Sequence, residues 1–221
     1  MAEEVVELAP YQKWLGKPNF TASGIPIYTF DELCFDATVH LLSLVWVGIS
    51  SHHLLQLTHN WNIIIYILCT SLLFCTSFAY NIIACGWHYK SELLRKIDHA
   101  AIFLYIAGCY SAILKPSLIL AVIWFICIII AVGKLWLGRK IEIPSIIILL
   151  ILVLLPLVVY WKTSYCRDIM IMIGIMIIGF IFYINNLLKG STALWHICVL
   201  LTTIVFWRIV YLHVKNKEVC E

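Results

Sequence analysis

Four sets of polar residues interrupt a chain that is otherwise almost wholly apolar: Asp36 with His40, Ser77 with Asn81, Asp98 with His99, and Thr192 with His196. Three of these sets are spaced i, i+4, which stacks both side chains on one face of a helix. Carboxylates and imidazoles ligate metals and move protons, and gathered at one depth they mark a candidate functional site. A carboxylate well inside a bilayer costs about 2.5 kcal/mol or more, so it faces the bundle interior and has a partner. Structural explanations stand beside the functional one. Asp98 either caps a helix or belongs to a site. Asp36 and His40 either lock helix packing through an interhelical hydrogen bond or line a cavity. Ser77 and Thr192, taken alone, are ordinary packing residues of membrane helices.

The elements that must position these residues are seven apolar spans, at about 33–53, 61–85, 99–114, 118–133, 143–161, 169–188 and 193–214. Each is close to the ~20 residues that cross ~30 Å of hydrocarbon as a helix. A soluble protein of 221 residues cannot hide a composition that is 63% hydrophobic, whereas a bundle in lipid requires it. Lipid offers no hydrogen bonds to bare backbone, which leaves helices or a closed barrel. Barrel strands alternate apolar and polar residues, but residues 146–155 are continuously apolar. The sequence therefore predicts an all-α integral membrane protein, a seven-transmembrane helix bundle. Its parts are a cytosolic N-terminal segment (1–32), a membrane domain (33–214) and a short C-terminal tail (215–221).

The basic residues orient the bundle. Lys13, Lys17, Lys90, Arg95, Lys96, Lys134, Arg139, Lys140 and Lys189 fall on one side, against Lys115, Lys162, Arg167, Arg208, Lys215 and Lys217. The positive-inside rule turns that bias into a cytosolic N-terminus and an outside C-terminus. The sequon Asn19-Phe20-Thr21 then faces the cytosol and goes unused. The four polar sets come to one depth just under the cytosolic surface.

Composition excludes several classes. A formal net charge of +3 is too small to argue for nucleic acid. The acidic start (Glu3, Glu4, Glu7) is unlike a signal peptide. Cys69, Cys75, Cys109, Cys127 and Cys198 lie inside apolar spans and read as packing residues; Cys166 and Cys220 alone could meet outside the membrane. His52, His53 and His59 cluster at the first outer link and read as a solvated loop rather than a metal site. Trp61, Tyr160 and Trp161 read as interfacial anchors, and the Ile-rich fourth and fifth spans as lipid-facing.

The chain resembles the hemolysin III family and, more broadly, the progestin-and-adipoQ-receptor (PAQR) superfamily of seven-span proteins. The resemblance is carried by Lys96-Ile97-Asp98-His99 with the following Gly108-Cys109-Tyr110-Ser111, by Ser77-Phe78-Ala79-Tyr80-Asn81, by Leu194-Trp195-His196, and by Glu32, Asp36 and His40 in the first span. It runs from about Glu32 to the seventh span, with the middle spans matching in hydropathy only. It implies a zinc ion held by three histidines, one at the inner end of the second span and two on the seventh. An aspartate opening the third span and a serine in the second complete that site, and a lipid-amide hydrolase activity goes with it. Zinc with an open position acidifies water and polarises a carbonyl.

Here the sequence departs from the family's pattern. Asn81 and Thr192 stand where two of the histidines belong, so His196 is the only retained metal ligand, beside Ser77 and Asp98 as the candidate catalytic pair. Neutral amides and hydroxyls are poor zinc ligands. The expectation is a receptor-like, non-catalytic member, adiponectin-receptor-like in type, with a degenerate zinc site and no cofactor. Asp36, His40, Asn81 and Thr192 line its polar cavity, and membrane lipid or a lipid-like ligand is its partner. The alternative is a ceramidase-like, zinc-dependent hydrolase of lipid amides or esters, its ligand set rebuilt from His40, Cys85, His88 or His99. A pore-forming role lacks the amphipathic, charge-lined span that a water-filled channel needs.

Overall fold

The computed structural model describes residues 19–20, 26–27, 30–87, 92–160, 165–185 and 190–218. Apart from a two-residue antiparallel ladder between β1 (Asn19–Phe20) and β2 (Pro26–Ile27), the described residues are helical. The helices are α1 (Phe30–Leu57), α2 (Trp61–Trp87), α3 (Glu92–Ile113), α4 (Leu118–Leu137), α5 (Glu142–Tyr160), α6 (Cys166–Asn185) and α7 (Ser191–Glu218), with a 3-10 turn at Gly138–Ile141. Five segments are long and apolar enough to cross a membrane: α1, α2, a 40-residue stretch Leu118–Leu157 spanning α4 and α5, α6 and α7. The chain is thus a multi-pass helical membrane protein. Helix α3 lies outside that set, and its first two turns carry Glu92, Arg95, Lys96 and Asp98.

Local signals set the helix ends. Asp31 and Glu32 sit in the first turn of α1, where the helix dipole favours negative charge. Ser117 caps α4, its hydroxyl accepting from the Leu120 N–H at 3.3 Å. Helix α4 stops at Gly138, whose φ of 54° suits a residue without a Cβ. Its neighbour in space is the Lys96 stem, whose Cε lies 2.7 Å from where a Cβ would project.

Packing follows the chain: α1 on α2, α2 on α3, α3 on α4, α6 on α7, with α7 closing back on α1. Helix α3 packs on α2, α4 and α7 and buries Ala100, Ala101, Phe103, Ala107, Gly108 and Tyr110. Small residues let backbones approach; a Cβ on Gly108 would stand 2.7 Å from Cys69 Cβ on α2. Tyr110 donates its hydroxyl to the Leu152 carbonyl at 2.6 Å, tying α3 to α5. Ile119, Val122, Phe125, Ile129 and Val132 on α4 and Ile147, Ile151 and Leu154 on α5 face outward. An apolar exterior around a core that holds buried Asp, His and Lys is the pattern of a bundle solvated by lipid.

Candidate functional site

Two interhelical contacts bring the N-terminal ends of α1 and α7 together. The buried Glu32 carboxylate accepts the Gly190 N–H at 2.7 Å, at the start of α7, where backbone donors have no intrahelical partner. One turn on, Asp36 Oδ1 lies 3.0 Å from His196 Nδ1. A carboxylate that only accepts fixes the proton of that ring on Nδ1 and leaves Nε2 as the other pole. His40 packs against this ring, centroids 4.3 Å apart and edge-on, and both of its nitrogens are buried without a hydrogen-bond partner among the described residues. The polar partner of Asp36 is therefore His196 on α7, not the residue one turn away on its own helix.

Helices α2 and α3 meet at the same end. The Ser77 hydroxyl donates to Asp98 Oδ1 in a short hydrogen bond between buried side chains. Asn81, 1% exposed, turns its amide back along α2 and donates to the Ser77 carbonyl at 2.9 Å, while its buried Oδ1 has no partner among the described residues. Asp98 does not cap α3. The helix begins at Glu92, two turns earlier, because the charged residues 92–96 continue the helix beyond the apolar run. Arg95 clasps Glu92 across that first turn at 2.6 Å and 2.9 Å, and this charge-assisted hydrogen bond holds the Glu92 carboxyl below the usual carboxylate range.

A cavity of about 460 Å³ opens beside these clusters, between α3, α4, α5, α6 and α7. Asp98, Thr192 and His196 stand on its wall, together with His99, Tyr183 and Trp195. Asp36, His40, Ser77 and Asn81 are not wall residues; they stand behind, joined to the wall through His196 and Asp98. On the opposite wall is a third cluster that the sequence did not disclose. Lys134, 3% exposed on the otherwise apolar α4, donates a hydrogen bond to Glu142 Oε2 at 3.0 Å. Glu142 Oε1 accepts from the Tyr183 hydroxyl at 3.0 Å, and Tyr183 lies 3.4 Å from His99 Nε2. The other ring nitrogen of His99 faces the Arg95 carbonyl at 2.8 Å and must donate to it. Polar contacts thus cross from α4 through α5 and α6 to α3, with the one Tyr183 proton given to Glu142 and His99 Nε2 the more distant neighbour.

At the three positions where the resemblance places ligands stand an amide, a hydroxyl and one imidazole, of which the imidazole alone is a good zinc ligand. Asp36 holds the Nδ1 of that ring and leaves Nε2 as its ligating nitrogen. Among the described residues no three His, Cys, Asp or Glu side chains converge on a metal-sized point. Of the replacement ligands, His88 lies outside the described residues, as does the side chain of Cys85. His52 and His53 are exposed at the far end of α1, where His52 lies 3.0 Å from Gln56. Cys166 carries a free thiol, and its suggested partner Cys220 lies outside the described residues. No protein-family model matches the chain.

Proposed function

We propose that this chain is a receptor-like, non-catalytic member of the hemolysin III/PAQR type, crossing the membrane seven times with its N-terminus in the cytosol and its C-terminus outside. It takes a membrane lipid or lipid-like ligand into the cavity at the cytosolic end of the bundle. The observation that carries this reading is how the two buried acids are used. Asp98 is satisfied by Ser77 and Asp36 by His196, so each acid holds two helices together beside the cavity. The cavity volume lies within the 300–1,000 Å³ of ordinary ligand pockets, with apolar walls and a few convergent polar groups. A wall that is polar near Glu92 and Arg95 and apolar near Phe103, Leu149 and Phe180 suits an amphiphile.

The test is mass spectrometry on protein released from detergent, alongside elemental analysis and a ceramide-hydrolysis assay on the same sample. Copurifying lipid without hydrolysis supports the reading. Equimolar zinc with turnover replaces it by the hydrolase. Reporter fusions at Lys13 and after Lys217 should report opposite sides of the membrane, and a shared side overturns the seven-span topology.

A further inference from the structure

Lys134 is the least expected residue of the bundle. A lysine near the end of a membrane helix extends its stem to carry the ammonium to the interface. This one is buried and stands on the cavity wall. Glu142 accounts for one of its three protons, and both oxygens of Glu142 already have donors, Lys134 and Tyr183. The other carboxylates of the wall are matched as well, Glu92 by Arg95 and Asp98 by Ser77. Asp98 also lies about 9 Å further along α3 than Glu92, six residues at ~1.5 Å each. Near the start of α3 Glu92 faces Arg95 and the exposed Arg139, with the Lys96 stem laid over Gly138 beside them, while Lys134 and its partner Glu142 stand on the same wall, Lys134 about one turn deeper than Gly138. Over the whole wall Glu92, Asp98 and Glu142 balance Arg95, Lys134 and Arg139, but among the described residues Arg139 makes no ion pair, so its exposed guanidinium is left to meet an anion from outside.

The opposite end of the cavity is apolar. Ile102, Leu149 and Trp195 are shared with a second, smaller cleft of about 80 Å³ that runs deeper along α3 and α7 past Tyr105, Leu152 and Met176. A free inorganic anion has no use for such a cleft, whereas an alkyl chain does.

Resting on the lipid-binding reading, we propose that the Lys134–Arg139 mouth is an anion subsite that takes the phosphate headgroup of a membrane lipid, whose chain lies against Ile102, Leu149 and Trp195. A phosphate accepts several hydrogen bonds at once and matches the fork of an arginine beside the point charge of a lysine.

The experiment titrates full-length protein in a non-ionic detergent with three probes: lysophosphatidic acid, monoacylglycerol with the same chain, and inorganic phosphate. The fluorescence of Trp195, read against Trp195→Phe, reports binding at the cavity wall. Lysophosphatidic acid should bind about tenfold or more tighter than monoacylglycerol, a difference that Arg139→Gln and Lys134→Met each reduce severalfold while monoacylglycerol affinity stays unchanged. Added salt should weaken the phosphate probe selectively. Equal affinity for the two lipids overturns the anion subsite and leaves lipid binding standing; no binding of either lipid overturns both. Phosphate that binds as tightly as the lysophospholipid overturns the lipid source. Should Lys134→Met fail to fold, exposed Arg139→Gln and the comparison of probes still decide.

Discussion

Asp36 Oδ1 stands 3.0 Å from His196 Nδ1, joining residues 160 positions apart in the chain and closing the ring of helices between α1 and α7. Glu32 and Gly190 repeat the link one turn earlier. Interhelical hydrogen bonds in membranes average only ~0.6 kcal/mol. A carboxylate that is 1% exposed is a different matter, because losing its partner leaves a buried charge unmatched.

Asp36→Ala should therefore destabilise the bundle by about 1–3 kcal/mol, the cost of a lost partner for a buried polar group. Asp36→Asn keeps an acceptor oxygen towards His196 and should recover most of the loss. His196→Ala should cost more than Asp36→Asn, since it strands the carboxylate. Thermal unfolding in one detergent, followed by a thiol-reactive dye, reads all three. An Ala variant as stable as wild type would show that the contact does not hold α1 to α7.

Ser77→Ala removes the donor that satisfies Asp98. The same range applies, about 1–3 kcal/mol for a hydrogen bond to a charged group left unmade in a buried place. Ser77→Thr retains the hydroxyl and should remain within about 1.5 kcal/mol of wild type, the extra methyl being the only new demand. Loss of the difference between Ala and Thr would sink the argument.

The helical, membrane-spanning character was legible because it follows from the solvent: long apolar runs admit few other solutions. The partner of Asp36 was not. Spacing put Asp36 and His40 on one helix face and called for a partner on another helix, but which helix packs against α1 decides that His196 supplies it, and no local pattern encodes that. Ser77 and Asp98, which the sequence pairs, are in direct contact between α2 and α3. Lys134 reads in the sequence only as one of the basic residues that orient the bundle, and Glu142 does not stand out at all. A signal was present, since Lys134 falls within the last turn of an apolar helix, ahead of the Gly138 turn that folds Glu142 back towards it. Tyr183 had no such signal inside its apolar run.

At the other end of the bundle Arg208 on α7 grips Asp168 on α6 with both carboxylate oxygens, at 2.7 Å and 2.8 Å. Asp168 is buried and the arginine half exposed, so the charge that needs the pair is the acid. Arg208→Ala should destabilise by about 1–3 kcal/mol. Arg208→Lys should restore most of it, because one nitrogen, Nη1, makes both contacts and an ammonium can do the same. Asp168→Asn in the Arg208→Ala background should regain stability by removing the stranded charge. A double variant no better than the single one would count against a buried-charge origin.

Two glycines of α6 make the sharpest contrast. A Cβ placed on Gly179 would stand 2.8 Å from Cys198 Cβ and 3.0 Å from Trp195 Cε3, both on α7, whereas one on Gly174 meets nothing within 4 Å. Gly179 is thus a point of close approach between α6 and α7, and neither a Cβ nor a packed indole on α7 can swing aside cheaply. Gly179→Ala should force the helices apart and cost about 1–3 kcal/mol, as overpacking does in other cores. It should also tilt Trp195 on the cavity wall and change the fluorescence of that residue. Gly174→Ala gains helix propensity at no steric cost and should be neutral or stabilising by up to about 1 kcal/mol. Unfolding of both variants in the same detergent decides the matter, and equal behaviour at the two positions would mean that α6 and α7 do not approach at Gly179.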